Sequence, residues 1–258
     1  KVRPSGKQFV LINGGELGTT CARVGCMPSK AMIQVAEDFH RRSILGRYGV
    51  EGHEKLTLDT VEAMEHVQDL RDTFVDRVLS NSTDNLDAEH FIEGYARFVD
   101  PNTLDVEGRI IRAEKIIIAS GSRPIIPAPW KAFRDRIVTT DDVFELESLP
   151  ESMAVVGLGV IGLEIGQSLA RLGVRVTGFD MLDTIAGLDD PEVAGAALDI
   201  LGKDFPIHLG NAAEITEEGG QLRVTAGDQS VLVDKVLASL GRRPNLDRLD
   251  LDKAGIAI

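Results

Sequence analysis

The sequence predicts an α/β chain built on parallel sheets, and three observations carry that prediction. Through the second half, strand-like and helix-like stretches alternate, the pattern of a parallel sheet with crossover helices. A glycine turn, GLGVIGLE, joins a β-branched run to an apolar helical run within residues 152–173. A proline-rich stretch, PIIPAPW (124–130), separates this half from a first half with its own strand, glycine turn and helix.

Taken in order, KQFVLI (7–12) reads as a strand and NGGELGTT after it as a turn. SKAMIQVAEDFHRR (29–42) has helical spacing, and GRYGVEGH (46–53) reads as a loop. From Asp59 to about Ser80, a second helix is predicted with Val61, Met64, Val67, Leu70, Phe74 and Val78 on one face. HFIEGYARFVD (90–100), TLDVEG (103–108) and RIIRAEKIIIAS (109–120) read as strands of a small meander, parted by Asp-Pro-Asn and Glu-Gly turns. Beyond the boundary, SMAVVGLGVIGLEIGQSLARLG (152–173) is strand, turn and helix, and VRVTGFD (174–180) is the next strand. PEVAGAALDILGKDF (191–205) reads as a helix and PIHLG (206–210) as a short strand. Residues 212–241 read as hairpin strands with a buried final strand.

Composition narrows the function. The 258 residues are enough for two ordinary domains or one large one. With 28 basic and 41 acidic residues the net charge is −13, which argues against nucleic acid or an anionic membrane surface as the main partner. The sequence has no apolar run long enough for a transmembrane helix, and its first residues do not read as a signal peptide. Two cysteines are too few for a secreted disulfide framework, so a reducing cytoplasm is the default location.

Gly157, Gly159 and Gly162 form GxGxxG between a strand and a helix, and Asp180 ends the next strand. Each part suits a dinucleotide. Gly157 allows a tight turn, Gly159 lets backbone approach a pyrophosphate, and Gly162 lets helix pack on strand. The helix start offers free N–H groups to the phosphates. Asp180 can accept hydrogen bonds from ribose hydroxyls and would repel a 2′-phosphate. GFDMLDT (178–184) holds no Arg or Lys to welcome that phosphate, so NAD is favoured over NADP.

Cys21 and Cys26 are the only cysteines. Five residues of regular helix rise about 7.5 Å, more than a disulfide spans. The pair can bridge only if the backbone bends, which Gly25 permits. Pro28 suits a first helical turn, so Cys21 is expected in the loop and Cys26 near a helix start. There the helix N-terminus and Lys30 would stabilise a thiolate at Cys26. A redox dithiol and a pair of inert buried cysteines both remain open on spacing alone.

ELGTTCARVGCMPSK resembles the active-site stretch of the pyridine nucleotide–disulfide oxidoreductases. That family includes dihydrolipoamide dehydrogenase, glutathione reductase and mercuric reductase. IIIASGSRP (116–124), VVGLGVIGLEIG (155–166) and ASLGRRPN (238–245) resemble further family stretches in the expected order. The resemblance implies two Rossmann-like, doubly wound dinucleotide-binding domains, an incomplete FAD type at 1–130 and an NAD type at 131–247. Residues 248–258 would begin the return to the first. It implies Cys21 as the interchange thiol, Cys26 as the thiolate facing the flavin, and Lys30 by the flavin, paired with Glu164. Asn13, Gly14, Gly15, Thr19, Thr20, Ala96, Ser120 and Gly121 would lie along FAD. Val160 and Ile161, with Asp180, Leu240 and Gly241, would join the three glycines in binding NAD.

The resemblance also has departures. The family's first flavin-binding strand and its own GxGxxG have no counterpart here, and neither has the later dimerisation domain. Asn13 stands where the family usually has a glutamate. His40, His53, His66, His90 and His208 match no catalytic position of the family and read as surface residues. No metal site is implied. The activity implied is electron transfer between NAD(H) and a small lipoamide-like dithiol or disulfide, through FAD and the cysteine pair, in a homodimeric parent. The rival readings are a glutathione- or mercuric-reductase-like enzyme and a catalytically silent NAD-binding fragment.

Overall fold

The computed structural model describes residue 6 and residues 8–257. The chain opens with β1 (Leu11–Asn13), α1 (Thr20–Arg23), α2 (Cys26–His40), α3 (Arg42–Leu45) and α4 (Thr60–Ser80). Then come β2 (Phe91–Glu93), β3 (Ala96–Asp100), β4 (Thr103–Val106), β5 (Arg109–Arg112), β6 (Ser122–Pro124) and β7 (Ile137–Thr139). The glycine turn lies between β8 (Ser152–Val156) and α5 (Val160–Arg171), followed by β9 (Arg175–Phe179), α6 (Pro191–Leu201) and β10 (Ile207–His208). The last strands are β11 (Glu214–Glu218), β12 (Gln221–Ala226), β13 (Gln229–Val233), β14 (Lys235–Ala238) and β15 (Arg242–Pro244).

The chain divides into two compact units. One comprises Cys21–Asp72 and Pro124–Arg242; the other holds the residues up to Thr20, Thr73–Arg123 and those from Arg243. In the larger unit a parallel sheet runs in the order β10-β9-β8-β14-β7. Strand β8 is buried along its whole length, as a central parallel strand must be. Its two faces feed two cores. Met153 and Val155 pack with Leu163, Ile165, Leu169 and Leu237. Ala154 and Val156 pack with Phe179, Leu222, Val224 and Val236. The antiparallel sheet β11-β12-β13 supplies Leu222 and Val224 to the second group. Each large side chain fully buried there is worth about 1.5–3 kcal/mol. Helix α2 also joins the larger unit, adding Ala31, Met32 and Ala36 to the core of α5.

The smaller unit pairs β1 with β2 in parallel and β3-β4-β5 antiparallel. Its core gathers Phe98, Leu104 and Leu251.

Several sequence expectations are corrected. The first strand covers Leu11–Asn13 rather than 7–12, and Lys7 lies outside the described residues. The strand expected over 109–120 stops at Arg112. Ile116–Ser120 has no ladder partner among the described residues, and Ile117 is 82% exposed. β-branched composition alone does not make a strand without a neighbour to pair with. The 46–53 loop contains a 3-10 turn, Gly46–Tyr48, and a second, His53–Lys55, begins at its last residue. Helix α6 ends at Leu201, and Phe205 beyond it turns into the core beside Gly166 and Gly178.

Asp234 ties the two sheets of the larger unit together. Its Oδ2 accepts from Ser152 N at 2.9 Å and Ser152 Oγ at 2.7 Å, and its Oδ1 accepts from Gln221 Nε2 at 2.9 Å. The Ser152 hydroxyl, then Gln221, hold its carboxyl below the usual range. A depressed carboxylate stabilises above its unfolded value and loses that contribution as pH falls through its folded value. Asp234→Ala is expected to lower unfolding free energy by roughly 1–3 kcal/mol at neutral pH. The difference from the parent chain should shrink on acidification, as urea titrations at several pH values would show.

Candidate functional site

The parallel topology makes a crevice at the carboxyl ends of β8 and β14. Strand order runs outward from β8 through β9 to β10 on one side and through β14 to β7 on the other. Such a reversal is where open α/β sheets bind ligands. Gly157 has φ +94, and a Cβ on it would stand 2.3 Å from Ser239 O. A Cβ on Gly162 would stand 2.0 Å from Gly157 O. Both positions therefore exclude a side chain. Gly159 differs: a Cβ there meets nothing within 4 Å, and the residue caps α5. Backbone at the positive end of a helix is thus open to an anion. Val160 and Ile161 begin that helix and are exposed. Leu240 packs within contact of the Gly157 position, and Gly241 follows at φ +89. Asp180 directly follows β9; its Oδ2 accepts from Leu158 N at 2.6 Å and its Oδ1 from Leu182 N at 2.9 Å. The structure thus gathers the three glycines, Asp180 and Leu240 around one loop. This is a cradle of the right kind for a dinucleotide.

The thiol pair sits at the start of α2. Cys21 lies in the short helix α1, not in the loop that spacing suggested, and Cys26 is the first residue of α2. Both thiols are free and exposed. A helix leaves its first N–H groups without intrahelical partners. Ser29 N makes the opening bond to Gly25 O at 3.1 Å, and Pro28 has no N–H to place. The remaining two donors, Cys26 N–H and Met27 N–H, turn toward Cys21. The sequence assigned the helix start to Cys26; the geometry directs its amides at the other sulfur. The Cys21 thiol is nonetheless held above its ordinary value. Its hydrogen bond to Cys26 is the largest cause, followed by burial and the charge of Cys26, and the two amides oppose them. Lys30, one turn beyond Cys26 on α2, places Nζ 2.7 Å from Glu164 Oε1 on α5.

The remaining sequence candidates belong to the smaller unit or its edge. Asn13 Nδ2 donates to Gly15 O at 2.6 Å, closing the turn after β1. Tyr95 fills the space beside Gly14, while a Cβ on Gly15 would meet nothing within 4 Å. Backbone can therefore approach a ligand at Gly15. Thr19 precedes α1 and Thr20 begins it. Ala96 packs against the Phe98–Leu104 core. Ser120 O accepts from Asn245 Nδ2 at 3.1 Å, and Gly121 O from Asn245 N at 3.0 Å. Arg123 Nη1 in turn donates to Asn245 Oδ1 at 2.7 Å. Sequence reasoning missed Asn245 and Arg123, whose separation of 122 positions gives no local signal.

The family described as pyridine nucleotide-disulphide oxidoreductase matches residues 1–258. A dihydrolipoyl dehydrogenase of Thermus scotoductus is 30% identical over 266 residues, covering 98% of this chain and 56% of the relative. A soluble pyridine nucleotide transhydrogenase of Mycobacterium bovis is 30% identical over 264 residues, with the same coverage of 98% and 56%. Among solved structures, the copper(II) complex of the HOCl-induced flavoprotein disulfide reductase RclA from Escherichia coli has a TM-score of 0.83. It is 24% identical, and the match covers 100% of this chain and 56% of that one, a likeness of fold. The chain spans about half the length of the curated relatives it matches.

Two predictions come from this geometry. Gly162→Ala should cost more than 2 kcal/mol of stability by driving a methyl into Gly157 O, whereas Gly159→Ala should leave the melting temperature unchanged. Calorimetry on both variants decides it. Iodoacetamide labelling of Cys21 should rise with pH along a curve displaced above that of a simple thiol. Cys26→Ala removes the main cause of that displacement and should move the Cys21 curve to lower pH. An unmoved curve would mean that Cys26 does not hold the proton on Cys21.

Proposed function

The chain belongs to the pyridine nucleotide-disulphide oxidoreductase family, and on that premise we propose that it carries the thiol pair and nucleotide loop of a dihydrolipoamide dehydrogenase-like enzyme. Members of this family use FAD and a pyridine nucleotide. The observation that carries the reading is the pair of free, exposed thiols, Cys21 and Cys26, at the head of the helix whose Lys30 is bound to Glu164. A pair of inert core cysteines would not be exposed together at a helix start.

The chemistry of the pair is disulfide exchange. In the oxidised form Cys21 and Cys26 share a disulfide. One thiolate of a dithiol substrate attacks Cys21 Sγ; the Cys21–Cys26 bond breaks and Cys26 leaves as a thiolate. The second substrate thiolate attacks the substrate sulfur now joined to Cys21. The substrate closes its own disulfide and Cys21 is released. Two electrons have then moved to the pair. One proton remains on Cys21, held by the hydrogen bond to Cys26, and the other goes to solvent. Negative charge is left on Cys26. When bound, FAD supplies the two-electron chemistry that passes these electrons to NAD⁺. Gly15 and Asn13, with Thr19, Thr20 and the Ser120–Gly121 turn, are the residues that would hold FAD. Gly157, Gly159 and Gly162 would hold the pyrophosphate of NAD, and Asp180 its adenosine ribose.

The sequence boundaries at 130 and 247 are offered as the functional division between the flavin-side and nucleotide-side domains. The lipoamide-like substrate, the homodimeric parent and the cytoplasmic location belong to the same proposal. Among the described residues no helix is long and apolar enough to cross a membrane.

Cys26→Ala in the full-length enzyme should abolish NADH-linked reduction of lipoamide while NADH binding persists; continued turnover would sink the assignment. Asp180→Arg should weaken NADH and shift preference toward NADPH, measured as the ratio of kcat/KM for the two nucleotides. An unchanged ratio would remove Asp180 from the ribose.

A further inference from the structure

Helices α2 and α5 are joined by two ion pairs, not one. Lys30 Nζ lies 2.7 Å from Glu164 Oε1, and Arg171 Nη1 lies 2.5 Å from Glu37 Oε2. On each helix the two partners are seven residues apart, so the rungs occur in the same order and the helices run parallel. Their spacing is two turns, about 10 Å. The polarity alternates. Helix α2 supplies the cation at the first rung and the anion at the second. Sliding α2 by one rung either way would set Lys30 against Arg171 or Glu37 against Glu164, so like charges reject the wrong register.

The two rungs are not equally well held. The side chains of Lys30 and Glu164 are 58% and 36% exposed, and an exposed pair of this kind contributes little by itself. Arg171 is only 23% exposed. Its Nη2 also reaches Asp204 Oδ2 at 3.3 Å, and Gln167 Nε2 donates to the same oxygen at 2.7 Å. Its Nε is buried without a hydrogen-bond partner. The guanidinium is thus placed by the two carboxylates at the expense of one donor. Between the rungs lie Ala31, Met32 and Ala36 of α2 and Leu163, Ile165 and Leu169 of α5, all in one buried cluster.

The geometry points to Glu37 and Arg171 as positioning residues that hold α2 in register on α5 and so keep Lys30, one helical turn beyond Cys26, docked on Glu164. Neither touches a reacting atom. The inference concerns the same thiol helix as the redox function proposed above, but its readout is thiol reactivity and does not require that function.

The test is the rate of iodoacetamide labelling of Cys26 at pH 7 in the reduced full-length protein. Trypsin cuts after Arg23 and Lys30, so VGCMPSK reports Cys26 apart from Cys21. Glu164→Gln removes the carboxylate that neutralises the Lys30 ammonium one turn from Cys26, and should raise the rate about two- to fivefold. Glu37→Gln should produce the same rise through lost register. The double variant should be no faster than either single one, because both open the same contact. Arg171→Lys, which keeps a cation for Glu37, should stay near the parent rate. Glu37→Asp, a milder shortening, should give a smaller rise and serves if Glu37→Gln does not fold. The inference is overturned if Glu37→Gln lowers the melting temperature but leaves the Cys26 rate unchanged. It is equally overturned if the two single effects multiply, or if Glu164→Gln has no effect. A thiol pair that never forms a disulfide would defeat the redox function without altering these rates.

Discussion

The packing of α2 along α5 is the contact on which the rest of the site depends. Ala31, Met32 and Ala36 put one face of the thiol helix into the core that α5 shares with β8. The ion pairs then fix the register. Cys26 stands four residues before Lys30, as Val160 stands four before Glu164, so the two helices begin at the same level. Each start carries the partial positive charge of a helix N-terminus. At α2 that end faces the Cys21 sulfur; at α5 it is left open at Gly159. Both helix starts thus belong to one compact unit.

The nucleotide end depends on the sheet beneath it. β14 lies against β8, and the backbone leaving each strand meets at Gly157 and Ser239 with no room for a Cβ. The same crowding recurs at Gly162. Only the middle glycine faces open space, so the loop is tight where it packs and bare where a ligand would come close. Asp180 adds to this by accepting the Leu158 amide, which ties the loop to the end of β9. Its carboxylate therefore acts on the loop's shape as well as on its charge.

Much of this was legible in the sequence, for local reasons. The β8–turn–α5 unit is written in the spacing of three glycines between a β-branched run and an amphipathic one, and the start of α2 in Cys26, Pro28 and Ser29. Helix α4 follows from its apolar period, although Val61, counted on the buried face, is exposed. What escaped depends on partners distant in the chain. Ile116–Ser120 has strand composition but no ladder partner among the described residues. The amides of Cys26 and Met27 point at Cys21 because α1 folds back as a helical turn, which five residues of spacing do not reveal. The Lys30–Glu164 contact was implied by the family resemblance, but Glu37–Arg171 and the Asn245 contacts with the Ser120–Gly121 turn were not. Each joins positions more than a hundred residues apart that no local pattern links.

The proposed function requires Cys21 and Cys26 to interconvert between dithiol and disulfide as one unit. The most direct measurement equilibrates the full-length protein anaerobically across dithiothreitol redox buffers, traps free thiols by alkylation and weighs the tryptic peptides. A single two-electron transition is expected. At its oxidised end QFVLINGGELGTTCAR and VGCMPSK should appear joined, and at its reduced end both should be alkylated. Two separate alkylated peptides at every poise would contradict it, because thiols that never bridge cannot carry the exchange.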